Sequence, residues 1–271
     1  MVPEAGGDSG DAPPPSRQQD ARQGSGHAAA QKPALWQRLC RPLRTLGPLD
    51  GSLYLIAAAL ARITGGRCQL HRYYLVAQPV PEIAGDRAGS PQAIRRIDPA
   101  DAVIGQFPRP PAVITERFAT GGECLVAENG DRFAGYLWIS RDSFDDPDQR
   151  CRFELLPASR CVWDYDVYIA PEFRLGRTFL RLWQGANAYL SSQGIGWSVS
   201  QISAFNRGSL AAHQRLGCIR KASSTFIVIG GMQLSIFTMP PYLHLSCSPH
   251  TQPTVRVDLS GTVPASPDGK P

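Results

Sequence analysis

Asp164 and Asp166 sit two residues apart in Cys161-Val-Trp-Asp-Tyr-Asp-Val-Tyr-Ile169, where β-branched and aromatic residues predict a strand. Strict alternation puts Val162, Asp164, Asp166 and Tyr168 on one face, and Trp163, Tyr165, Val167 and Ile169 on the other. Two carboxylates on one face of a central strand are costly unless that face opens on a cleft or finds partners. In a cleft, such a carboxylate could take the proton of an attacking amine. The alternative is pairing with arginines such as Arg152 or Arg160. Asp166 is the nearer of the two to the turn that follows. In that turn, Arg174 and Arg177 precede a helix expected from about Thr178. The N–H groups from Leu175 through Gly176 and Arg177 to Thr178 would then point out of a helix N-terminus, a ready anion site. Further on, Asn206 is placed to cap a short helix that carries His213. An imidazolium there could protonate a leaving group, while a neutral imidazole donates only from its N–H. A plain surface histidine is the competing reading.

The elements that must position these groups are legible around them. Phe179, Leu182, Trp183, Ala186 and Leu190 recur at helical spacing, and Gly194 and Gly196 stop that helix. Trp197 to Phe205 reads as a second strand, followed by the helix from Ser209 to Leu216 and its stop at Gly217. Strand, crossover helix and strand make a parallel βαβ unit.

Val167-Tyr-Ile-Ala-Pro-Glu-Phe-Arg174 resembles the strand-to-loop entry of the GNAT family of acyl-CoA acyltransferases. Asn206-Arg-Gly-Ser209, His213 and Leu216-Gly217-Cys218 resemble that family's second block. The resemblance covers roughly Ala93 to Thr238. It implies an α/β (α+β) fold with a mixed, twisted central sheet, two splayed parallel strands and flanking helices. It implies an N-acyltransferase that passes an acyl group, acetyl first among them, from acyl-CoA to a small amine or amino sugar by direct attack on the thioester. Val167, Tyr168 and Ile169, the turn from Arg174 to Thr178, and Asn206 and Ser209 would hold acetyl-CoA or another acyl-CoA. His213 would stand where the family has a tyrosine acid, and Asp166 or Asp164 would be the base. The chain departs from the family in its phosphate loop, where Arg177 and Phe179 occupy the two small-residue positions. Arg177 could replace lost backbone contacts with a bidentate donor or could block the loop. An acyl-carrier-protein donor, with one phosphate on its arm, and a non-catalytic acyl-CoA-binding scaffold are the alternatives.

The rest of the chain frames this domain. It has 271 residues, a net charge of +5 and seven scattered cysteines with no metal-ligand or disulfide spacing. That usage points to reduced thiols and a cytoplasmic protein. No Lys/Arg run interleaves with aromatics, which argues against nucleic acid. Residues 1–33 read as disordered and low in complexity, and 34–92 as a helix-and-strand extension that covers a sheet edge or makes a homodimer contact. Within the extension, Leu35 to Leu46 alternates apolar and basic residues around Pro42. It reads as a helix docked with its arginines solvated, or as a membrane-surface anchor. No stretch is long enough to span a bilayer. The acyltransferase domain takes 93–239, with a hairpin at Asn129-Gly130 and another at Gly230-Gly231. Residues 240–271 read as a disordered tail.

Overall fold

A nine-stranded sheet forms because most of these apolar runs are buried on both faces or alternate cleanly. The computed structural model describes residues 35–82, 94–146, 148–248 and 250–262. The expected disorder of 1–33 and most of the expected linker at 82–91 lie outside these residues.

Two helices, α1 (Leu35–Leu46) and α2 (Pro48–Ile63), lead into β1 (Cys68–Pro79). After β2 (Ile94–Ile97) and a 3-10 turn capped by Asp101 come α3 (Pro111–Ala119) and the hairpin of β3 (Glu123–Asn129) and β4 (Arg132–Arg141). Short β5 (Ser143–Asp145) and β6 (Arg152–Leu156) precede β7 (Cys161–Ile169). Then follow α4 (Thr178–Ser192), β8 (Trp197–Ser203) and α5 (Arg207–Arg215). The chain finishes with β9 (Ile219–Ile229), β10 (Met232–Phe237), β11 (Leu243–Ser246) and β12 (Thr254–Asp258).

The large sheet runs β11-β10-β9-β1-β8-β7-β4-β3-β2. Its β7–β8 pair is parallel, as the βαβ pattern predicts, and its other pairs are antiparallel. β7 and β8 hold register only from Cys161↔Trp197 to Asp164↔Ser200, and then they part. The chain is thus a mixed α/β protein whose two central parallel strands splay at their C-terminal ends.

Three expectations are corrected. The segment 34–92 is not an edge cover, because β1 lies inside the sheet between β8 and β9. Leu75, Val76 and Ala77 are buried one after another, as a strand covered on both faces requires. The tail expected to be disordered at 240–271 is structured over most of its described residues, while 263–271 lie outside them. Leu245 of β11 pairs with Leu234, and β12 pairs in parallel with β6 in a second, three-stranded sheet. Val255, Val257 and Leu259 are buried there against Phe153, Leu155 and Trp163. At the hydrophobic yield of roughly 25 cal/mol per Å² of apolar area, burial of those three side chains outweighs the tail's Pro/Ser/Thr composition.

The third correction concerns β7 itself. Trp138 of β4 faces Asp166 while the next residue, Ile139, faces Asp164. Tyr165 is therefore a bulge residue, and the alternation of β7 inverts around it. Val162, Val167 and Ile169 pack toward α4, whereas Trp163, Tyr165 and Tyr168 pack on the opposite face. Asp164 and Asp166 do not share a face.

Candidate active site

Where β7 and β8 part, a groove of about 1080 Å³ opens between α4 and α5. The edge of β7 that faces β8 has no strand partner from Tyr165 onward, which leaves its N–H and C=O groups, the Ile169 carbonyl excepted, for an extended ligand. Val167, Tyr168 and Ile169 line this edge, while Asn206 and Ser209 line the groove from α5. Asn206 caps α5, its side-chain oxygen accepting from the Ser209 N–H at 3.0 Å.

The mouth is basic. Arg174, Arg177 and Arg215 line it together with Gly176. Arg174 donates from Nε to the Ile169 carbonyl at 3.0 Å, and its guanidinium stacks over Tyr168. Arg177 is the N-cap residue of α4 but offers no side-chain cap. The first-turn N–H groups of that 15-residue helix are accordingly left for a ligand. Of the turn residues expected to bind, Leu175 is fully exposed and Thr178 is buried, and neither lines the groove. Phe179 turns inward to pack against Trp183 and His213.

His213 is 4% exposed and lines the groove. Its Nδ1 lies 2.9 Å from the Ser209 carbonyl oxygen. A carbonyl only accepts, so Nδ1 carries the hydrogen, and Nε2 holds the lone pair when the ring is neutral. Nε2 is buried and has no partner among the described residues. Edge contacts with Phe179 and Trp183 fix the ring. A buried polar atom without a partner carries a free-energy cost. Eight other side-chain atoms share that state among the described residues, and His213 differs from most of them in lining the groove.

Asp164 also lines the groove, is 3% exposed and accepts from Ser198 Oγ at 2.8 Å. Burial pushes its carboxyl above the ordinary range, and the His213 charge and the hydroxyls of Ser198 and Ser200 only partly pull it back.

Asp166, the favoured candidate for the base, is withdrawn from the groove by the Tyr165 bulge. Arg109 grips it from Nε and Nη2, both at 3.1 Å, Arg117 donates at 2.8 Å and the Tyr136 hydroxyl at 3.0 Å. Burial would raise its pKa, but the two guanidiniums win and hold it below the ordinary carboxylate value. Burial, then the Asp166 charge, lifts the Tyr136 phenol to about 12, so it stays a donor. A carboxylate with all these donors is a weak base. The expected partners Arg152 and Arg160 are not the ones it finds; Arg152 pairs with Asp145 instead.

Sequence reasoning passed over Ser198, Ser200 and Arg215. Ser198 and Ser200 were visible as small polar residues at alternate positions of an apolar strand. Arg215 follows Gly208 and Ala212 at helical spacing on the groove side of α5. Arg109, Arg117 and Tyr136 come from three separate elements and carry no local signal.

No family model and no curated protein sequence matches the chain. Solved structures similar to it include a conserved protein of unknown function from Staphylococcus epidermidis, at 14% identity and TM-score 0.42 over 64% of this chain and 67% of that one. Another is a protein named for the GNAT acetyltransferase family from Novosphingobium aromaticivorans, at 15% identity and TM-score 0.39 over 58% and 63%. A third is yncA from Salmonella typhimurium, named for acetyltransferase activity and solved with acetyl-CoA, at 20% identity and TM-score 0.34 over 47% and 79%. None of the three reaches a TM-score of 0.5, and the functional reading rests on the residues of the groove.

Proposed function

We propose that the protein is an acyl-CoA-dependent N-acyltransferase that carries an acyl group, acetyl foremost, to the amine of a small molecule. One observation carries the reading. Buried His213, whose Nε2 has no partner among the described residues, lines the groove opened by the two parted parallel strands, and arginines line the mouth of that groove. The strand edge at Val167 to Ile169 and Asn206 hold the pantetheine arm. Arg174, Arg177, Arg215 and the start of α4 take the donor's phosphates. The thioester carbon then lies between the parted strands, within reach of His213.

The tautomer assigns the proton traffic. With Nδ1–H committed to Ser209, neutral His213 accepts at Nε2. It takes the proton that the amine nitrogen loses as the C–N bond forms. The resulting imidazolium gives that proton to the thiolate sulfur as the C–S bond breaks. The histidine thus serves first as base and then as acid. Asp164, buried on the same side, stabilises the imidazolium between the two steps.

Calorimetric titration tests the donor half. Acetyl-CoA should bind, and dephospho-CoA should bind more weakly because it lacks one anion for the mouth. If neither binds while an acyl-carrier protein does, the donor assignment fails.

A further inference from the structure

We propose that the α1–α2 hairpin and the neighbouring β9–β10 tip form a docking face for an anionic lipid surface. α2 is apolar nearly all round, and such a helix is ordinarily buried. Here its buried residues are Asp50 and Gly51 alone. Leu49 is 61% exposed, Ile56 47% and Ile63 82%, and the three recur every seven residues as one stripe. The tip adds Ile229 at 53% and Met232 at 48%. It is held beside the end of α2 by the Gly230 N–H, which donates to the Arg67 carbonyl at 3.0 Å. An apolar patch of this kind marks a contact surface.

Its charge names the occupant. Residues 35–67 hold five arginines and a single carboxylate, a net +4 within a chain whose total is +5. The carboxylate, Asp50, is buried and spent on Arg72 and Tyr74. Arg41, Arg44, Arg62 and Arg67 are exposed, and none is ion-paired among the described residues. Large apolar side chains rimmed by unpaired arginines match the headgroup layer of an acidic bilayer, where the apolar stripe enters and the guanidiniums meet phosphate. No helix among the described residues is long and apolar enough to cross a membrane, so the contact is interfacial.

Co-sedimentation of the full chain with phosphatidylcholine vesicles, with and without about 30 mol% phosphatidylserine, tests this. Binding should be at least about tenfold tighter with phosphatidylserine and should weaken as salt screens it. Ile63→Asp, and separately Arg62→Glu with Arg67→Glu, should each weaken it about tenfold without moving the melting temperature. Equal affinity for both vesicles, or no binding to either, overturns the proposal. So does a dimer by light scattering that Ile63→Asp splits, which assigns the face to a second copy.

Discussion

The Nδ1 of His213 lies 2.9 Å from the carbonyl oxygen of Ser209, one turn earlier on the same helix. That contact leaves Nε2 as the only ring atom free for chemistry, and it decides between two otherwise similar roles. A residue that only protonates the thiolate can be replaced by tyrosine, whose phenol holds its proton to about pH 10. A residue that must first accept a proton cannot. His213→Phe should lower kcat on the order of 10²-fold with little change in donor affinity. His213→Tyr should remain as slow. Recovery of rate in the tyrosine variant would assign His213 to acid duty alone.

At the groove mouth, Arg177→Ala and Arg215→Ala should each weaken acetyl-CoA binding about tenfold, as loss of a charge-assisted contact to phosphate does. The effect should shrink with added salt. Arg177→Gly discriminates further. Tighter binding in the glycine variant than in wild type, read by calorimetry, would show that the side chain obstructs the loop.

The Asp166 cluster should matter for stability rather than for proton transfer. Asp166→Asn leaves Arg109 and Arg117 without their carboxylate and should cost about 3 kcal/mol in urea unfolding at neutral pH. The sign of the pH effect follows from the depressed folded-state pKa. Its contribution is complete above the unfolded-state value of about 3.9 and is lost as pH falls through the lower folded value. Wild type should therefore approach the variant's stability only at a pH well below the unfolded-state value. An undiminished gap there would mean that another group carries the difference.

Val257 tests the C-terminal strand. It is fully buried between the two sheets, so Val257→Ala should cost about 2 kcal/mol, two methyl groups plus the cavity left behind. A neutral substitution would detach β12 from the folded core.

How far these features could be read from residues alone depends on the range of the forces involved. The βαβ unit, the Asn206 cap and both glycine hairpins are local, and propensity and turn chemistry place them to within a few residues. The bulge at Tyr165 is not local: it is a registry relation with Trp138 and Ile139 of β4, and it inverts every alternation argument beyond it. The insertion of β1 between β8 and β9 is likewise a long-range pairing, although the apolar run Tyr73 to Ala77 already had the form of a strand buried on both faces. In the tail, Val255 and Val257 alternate with polar residues as a half-buried strand should, a signal outweighed by the surrounding Pro, Ser and Thr. Within the site, Asn206 and His213 stood out because their spacing is a property of one helix. Arg109, Arg117 and Tyr136 meet only through tertiary packing.

The most direct test of the acyltransferase reading is amine-dependent release of CoA thiol from acetyl-CoA, followed continuously across a panel of primary amines and amino sugars. At least one acceptor should drive turnover in the wild type and should drive it about 10²-fold more slowly in His213→Phe. Tight acetyl-CoA binding with no acceptor-dependent thiol release from any amine would contradict the account and leave a binding protein in its place.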